Sequence, residues 1–483
     1  MSMTITRLFF IALCVLTSSY GLAEETTYKS LVHGGQILTM DPNNLDPIDG
    51  WFLVDSSGRI AEIRTGPVPE GISAETVIDA SGKIILPGFI SAHSHLWSAP
   101  FRGIASESTL FGWLAEAHTP FTPYYQEGDF YNFTQYGGLD FLSHGITTNY
   151  NWVNNNGYHY DHWMEQFDAQ LSLKQRFILG WAIDITESET VNRERLSAFV
   201  KKGESLKKEN DHLLALSISA LGLLQGDSEF PYWEGRMMED FDLDAQAHYL
   251  EAPEIESVQQ QQFSILEDSG MLSHRLHFAH YIHSNDKILE KTVAAGTRMI
   301  WNPLSNGRLA SGLADIPKYK QFGLRMGMGL DGQASADLSD PFENMRMGLY
   351  ATRMQYRSAQ VMTPYQILSM HTLGSAEVLN VADRVGSLDV GKFADFLVLD
   401  PKQPDVGPIF DVYATVVMTL STRNLESVFV GGDAVFNQGE ILSHDFPAIR
   451  DEAHQRVARM LNQLEADGEP SPKPTYKTHF TLP

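Results

Sequence analysis

Between residues 84 and 332, eight short apolar or β-branched runs recur, separated by longer stretches of which several carry a helical period. The runs are IILPGFISAHSH, GITTNYNWV, RFILGWAID, LLALSISAL, DAQAHYLEA, LHFAHYIH, RMIWNPLSN and LRMGMGLDG. They have the length of strands rather than helices. The segments between them include ERLSAFVKKGESLKKEN, EIESVQQQQFSILEDSG and NDKILEKTVAAG, each predicted to form a helix that ends at Asn or Gly. Strand and helix in alternation imply parallel pairing, and eight units are the number that closes a (β/α)8 barrel. A doubly wound open sheet is the alternative, but no G-x-G-x-x-G follows the first strand and eight units suit closure better.

The flanks have a different texture. From about residue 28 to 84 the chain reads as short strands punctuated by turn clusters, such as Ser56-Ser57-Gly58, and the same texture returns in RVGSLDVGKFADFLVLDP and ESVFVGGDAVFNQGEIL. Neither flank alone has enough strands to bury a face, so the two ends are expected to meet in one small sheet domain. The expected fold is therefore α/β, a (β/α)8 TIM barrel over 87–383 with a small β-sandwich from 24–86 and 384–441. Residues 442–483 should add a helix, FPAIRDEAHQRVARMLNQLEA, and a Pro-rich tail.

Residues 1–23 have the layout of a cleaved secretory signal peptide: Arg7, the apolar run Leu8 to Leu16, and the small-residue ending Gly21-Leu22-Ala23. The run is too short to span a bilayer and no later segment approaches the ~20 uninterrupted apolar residues a transmembrane helix needs, so a secreted or periplasmic protein without stable membrane insertion is expected. The single cysteine, Cys14, lies in this leader. A disulfide framework, a thiolate metal site and a catalytic thiol are thereby excluded from the body of the chain, and any metal must be held by His, Asp and Glu. With 35 Lys+Arg against 60 Asp+Glu the formal charge is -25, and loss of Arg7 with the leader makes it -26. Such a balance disfavours nucleic acid and anionic lipid as partners and leaves a small-molecule substrate. Homo-oligomerisation is left open.

In a barrel of this kind the active site lies at the C-terminal ends of the strands. The first predicted strand ends in His93-Ser94-His95, and residues two apart on a strand face the same side. The fifth carries His248 with Glu251 three residues on, the sixth carries His280, and the eighth ends in Asp331. Each group has an ordinary alternative: His93 and His95 as core imidazoles bonded to backbone, Glu251 as a helix cap. Four of eight strand ends presenting metal-type or acid–base groups is stronger than any one motif. Trp97 and Phe101 follow the first motif closely enough to line a site. His274, His277 and His283 read as packing or surface residues, while His118, His144, His159 and His162 have no partner at a useful spacing.

The segments PGFISAHSHLWSAPFRG, HYLEA, FAHYIH, WNPLSNGRLASGLADIP, GMGLDGQASADLSDPFENMR and GSLDVGKFADFLVLD resemble, in order, the landmarks of the amidohydrolase superfamily. The nearest branch is the cytosine-deaminase-like group of aminohydrolases and chlorohydrolases. That resemblance implies a metal-dependent barrel with a sandwich built from both chain ends. It implies His93, His95, His248 and Asp331 as metal ligands, and Glu251 and His280 as proton-transfer groups; Asp331, near the water, can also accept its proton. One divalent ion, Zn2+ or else Fe2+, held by three neutral imidazoles and a carboxylate would lower the pKa of water towards about 7. No Lys in LLALSISAL is available to bridge a second ion, so a mononuclear site and deaminase-like chemistry are expected. Cyclic-amide hydrolysis or dechlorination at the same site is the alternative reaction, and a barrel that binds a small molecule without turnover is the alternative of another class. The chain departs from the group after its fourth strand, where LLQGDSEFPYW lacks the His of the P-H-x-P-Y segment. Arg308, in SNGRLASG, is a candidate to pair an anionic substrate group or, equally, a surface charge.

Overall fold

The computed structural model describes residues 27–154, 162–224 and 229–469. The expected leader, the Pro-rich tail, His159 and the QGDS of LLQGDSEFPYW lie outside the described residues.

The N-terminal flank forms β1 (Tyr28–Ile37), β2 (Ile48–Val54), β3 (Ile60–Thr65), β4 (Ala74–Asp79) and β5 (Ile84–Pro87). The barrel follows as β6 (Phe89–His95), β7 (Ile146–Trp152), β8 (Arg176–Trp181), β9 (Leu213–Ala220), β10 (Asp244–Tyr249), β11 (Leu276–His280), β12 (Arg298–Trp301), β13 (Met326–Met328) and β14 (Asp331–Gly332). Consecutive barrel strands pair in parallel, and β14 pairs with β6 to close the ring. β13 and β14 are the two halves of the eighth strand. β7, β8 and β12 are buried along their whole length, which is why they read as continuous apolar runs rather than alternating ones.

Two departures from the sequence reading have steric causes. The run IILPGFISAHSH is two strands, not one: β5 pairs with the flanking sheet, and the chain enters the barrel only after Gly88. A Cβ on Gly88 would stand 2.0 Å from Thr147 Oγ1, so only glycine lets the two sheets approach at this joint. The eighth strand breaks at Gly329, where a Cβ would come within 2.8 Å of the backbone of His93. That close approach brings Asp331 up to the histidines of β6. The segment EIESVQQQQFSILEDSG is likewise divided, into helices Glu256–Gln261 and Phe263–Asp268.

The C-terminal flank supplies β15 (Phe396–Leu399), β16 (Leu425–Val430), β17 (Asp433–Asn437) and β18 (Glu440–Ile441). β15 pairs antiparallel with β5, so both chain ends share one nine-stranded sheet wrapped around Val32, Phe52, Val54, Phe396 and Phe429. The sandwich is pinned to the barrel by Arg176 of β8. Its Nε and Nη2 donate to the two oxygens of Asp395 at 2.7 and 3.1 Å, with the guanidinium over the Phe393 ring. Such a buried bidentate pair fixes orientation more surely than it adds stability.

The last helix, Phe446–Ala466, packs on the segment between β6 and β7. Its Ala453, Met460 and Leu464 are buried with Trp97, Phe101, Phe121, Tyr125, Phe130 and Phe133, an aromatic cluster in the excursion between β6 and β7. Arg456 and Arg459 both donate to buried Asp129, at 2.8 and 2.5 Å. No helix among the described residues is long and apolar enough to cross a membrane.

Candidate active site

His93 and His95 project from the end of β6 into the mouth of the barrel. Gln246, two residues before His248 on the same face of β10, donates from Nε2 to the Ala92 carbonyl at 2.9 Å. Its Oε1 must then accept from His93 Nδ1, with which it is in contact, and the proton on Nδ1 leaves the Nε2 lone pair facing the centre. His95 Nε2 lies 3.2 Å from His93 Nε2 and 3.2 Å from His248 Nε2. Asp331 Oδ1 is 3.3 Å from Nε2 of both His93 and His95. One imidazole nitrogen carries at most one proton and cannot satisfy three such neighbours. Ligands at 2.0–2.1 Å around a tetrahedral ion would be about 3.3 Å apart, so the four donors fit one divalent cation.

Beside them stand Glu251 and His280. His280 Nε2 is 3.5 Å from Glu251 Oε2, and Asn306 Nδ2 donates to His280 Nδ1 at 2.8 Å. Ser305 Oγ donates to Asp331 Oδ2 at 2.5 Å. Both Glu251 oxygens are buried without a hydrogen-bond partner among the described residues. Burial, with Asp331 and Glu254 nearby, pushes the Glu251 carboxyl well above the usual range. Burial also acts to raise Asp331, but its contacts with His93 and His95 override this and hold it well below. Desolvation takes His280 down to about 3. His280 (φ 71°) and Asp331 (φ 61°) both occupy the left-handed region, a strain that non-glycine residues carry at sites the surrounding fold holds rigidly.

His95, His248, Glu251, His280 and Asp331 line a cavity of about 270 Å3. Its other walls are Trp97, Leu110, Phe111, Trp113, Leu114 and His118 from the β6–β7 excursion, Trp152 at the end of β7 with Asn154 beyond it, and Leu221 and Leu224 after β9. Every residue proposed as a ligand or proton carrier from the sequence is thus brought to one place, with Trp97 beside them. Phe101 is not at the cavity; it packs behind it against Phe121 and Phe133. Arg308 is not there either. Its Nε donates to Asp337 Oδ2 at 2.9 Å and its Nη2 to the Ile104 carbonyl at 2.7 Å, so its charge is spent bracing two loops.

Several site residues escaped the sequence reading. Gln246 could have been found by extending the period-two argument one step back from His248. Ser305 and Asn306 stand in the quoted SNGRLASG segment, but no spacing rule assigns them to Asp331 and His280. His118 was set aside for want of a partner. It stands edge-on to Trp97, ring centres 5.3 Å apart, and Asn154 Nδ2 lies 3.2 Å from its Nε2.

The amidohydrolase family profile matches residues 84–435. The chain belongs to the amidohydrolase family. It is a metal-dependent hydrolase with a divalent-ion site. It is 26% identical to a 5-methylthioadenosine/S-adenosylhomocysteine deaminase of Desulforudis audaxviator, over 83% of this chain and 92% of that one. It is 25% identical to a 5'-deoxyadenosine deaminase of Methanosarcina acetivorans, over 90% and 99% of the two chains. In structure it resembles a zinc-bound adenosine deaminase of Xanthomonas campestris, with TM-score 0.77, 19% identity, and 90% and 99% of the chains covered. A zinc-bound atrazine chlorohydrolase of Arthrobacter aurescens aligns at TM-score 0.76 with 21% identity, over 89% and 100%. Both likenesses support the (β/α)8 barrel with an added β-sandwich.

Proposed function

We propose that this amidohydrolase removes an amino group hydrolytically from a heteroaromatic or cyclic small molecule, using one Zn2+ held by His93, His95, His248 and Asp331. The observation that carries this reading is Glu251: a buried carboxyl without a hydrogen-bond partner among the described residues, beside four converging donors, on the wall of a cavity. An ion at those donors supplies Lewis acidity and makes water a competent nucleophile near neutral pH.

The protein's own groups manage the protons. Glu251, kept protonated by burial, donates to the substrate nitrogen and so makes the adjacent carbon electrophilic. Asp331, held as a carboxylate, accepts the proton released when water adds to that carbon. His280, neutral and oriented by Asn306, stands beside Glu251 and orients the attacking water. Asp331 passes its proton to the amino group, and the hydroxyl proton of the adduct returns to Glu251 as C=O forms: one water enters, the C–NH2 bond is replaced by C=O, and ammonia leaves.

Bound zinc in the adenosine deaminase and chlorohydrolase neighbours supports Zn2+ over Fe2+. The relatives named as deaminases support deamination. Inductively coupled plasma analysis should find about one zinc per chain, as the one four-donor site among the described residues requires. An amine library should release ammonia with the native chain and not with Glu251→Gln. Folded protein that takes up no metal would end this reading, and chloride release instead of ammonia would assign dechlorination. We also propose export by residues 1–23. Sequencing of the exported protein should begin after Ala23, and an intact Met1 would remove the assignment.

A further inference from the structure

The cavity has a reactive end and a recognition end, and the second has its own chemistry. Away from the four donors the wall is formed chiefly by Leu110, Phe111, Trp113, Leu114, Leu221 and Leu224. Among the described lining residues there is no Lys or Arg. His118 supplies no cation either: burial, with His95 close by, takes it down to about 4. The lining hydroxyls already donate to backbone, Ser98 to the His95 carbonyl at 2.8 Å and Ser335 to that of Gly332 at 3.0 Å. A sugar or carboxylate placed in this end would lose its hydration without recovering equivalent partners.

Resting on the deamination reading above, we propose that the substrate is an uncharged amino-heteroarene carrying an apolar substituent. The aliphatic and aromatic arch around Phe111 and Leu114 receives that substituent, and nucleosides and carboxylate-bearing analogues are poor ligands. His118 and Asn154, paired at 3.2 Å on the cavity wall, are the polar side chains offered to the heterocycle's edge.

The test separates binding from turnover. Zinc-loaded full-length Glu251→Gln protein is titrated calorimetrically with 9-benzyladenine, adenosine and 9-(2-carboxyethyl)adenine, and with benzyl-, hydroxyethyl- and carboxyethyl-amino derivatives of 2-amino-1,3,5-triazine. In at least one ring series the benzyl form should bind about tenfold or more tighter than its two polar counterparts, the scale of discrimination an apolar pocket gives. Phe111 is 38% exposed, so Phe111→Arg should fold, weaken the benzyl probe and strengthen the carboxylate one. Equal or tighter binding of the sugar or carboxylate forms overturns the proposal, as does failure of every benzyl probe to bind. If the benzyl forms bind best but the native protein releases ammonia from none of them, the deamination reading fails and the assignment of the apolar end stands.

Discussion

On one side of the cavity, His93, His95 and His248 sit on strands hydrogen-bonded to both neighbours, and Asp331 on the short β14 that pairs with β6. On the other, Leu110, Phe111, Trp113 and Leu114 sit in the tight helical turns of residues 110–124, outside any sheet. The first wall is positioned by backbone pairing and by side chains such as Gln246 that lock one ring nitrogen. The second is positioned by packing: Trp113 Nε1 donates to the Ala334 carbonyl at 3.0 Å, and the aromatic cluster behind Trp97 is closed by a helix more than 300 residues away in sequence. Chemistry rests on the rigid frame and recognition on a part that can change without disturbing it. The two walls should therefore fail separately.

The largest effect is expected from Glu251→Gln. Loss of the proton donor should lower kcat by about 10²- to 10⁴-fold, the usual worth of a positioned general acid, while bound zinc stays the same. Rapid-quench or steady-state ammonia assays with parallel metal analysis would check it. A variant that lost metal as well would show that the reactive wall is not divided into ligands and proton carriers as described. Next comes Gln246→Leu, which leaves His93 without its Nδ1 partner. Zinc affinity, measured by competition with a chelator, should fall about 10- to 100-fold, and activity at saturating zinc should largely recover. If activity stays low when zinc is saturating, Gln246 does more than orient a ligand.

A smaller and different effect is expected behind the apolar wall. Met460 is fully buried against the aromatic cluster, and Met460→Ala should cost about 2–5 kcal/mol of stability by opening a cavity there. KM should rise a few-fold as the Trp97 side relaxes, with kcat and zinc content unmoved. Thermal unfolding and steady-state kinetics on one preparation separate the two readouts. A drop in zinc affinity instead would mean that the walls are mechanically coupled.

The same contrast explains what the sequence made legible. His93 and His95 were readable because strand geometry forces residues two apart to one side, and Asp331 because it ends the strand that closes against β6. The eight strands were readable because a fully buried parallel strand has to be a short apolar run. His118 and Trp113 were not readable as cavity residues, since no local periodicity says where a long excursion comes to rest. Residues 446–466 were readable as a helix from their own pattern, but their docking on Asp129 and the aromatic cluster depends on tertiary contacts alone. The choice left open for Arg308 has the same origin: its partner Asp337 is a loop residue beyond β14.

The smallest effect on turnover, and the most specific test of the apolar wall, concerns Glu234. This side chain is fully buried on the helix Phe230–Asp240 and accepts from the backbone N–H groups of Leu221 and Gly222 at 2.7 and 3.0 Å, holding the turn that carries Leu221 and Leu224 to the cavity. Burial raises its pKa from the ordinary 4.5 to about 7, outweighing the two backbone hydrogen bonds, which lower it. The folded state then keeps a proton that the unfolded chain has released. The resulting stabilisation is complete below pH 4.5 and is lost as pH rises through about 7, a change of up to about 3 kcal/mol at 1.36 kcal/mol per unit. Glu234→Gln cannot titrate, and its single carbonyl leaves one backbone N–H weakly paired at a cost of about 1–3 kcal/mol at any pH. Denaturant unfolding at pH 5 and pH 8 should therefore show the variant less stable than the native chain at pH 5 and the gap closed or reversed at pH 8. A gap that stays constant across that window would mean that Glu234 is ionised throughout, and that the turn is held by a carboxylate rather than by a neutral acid.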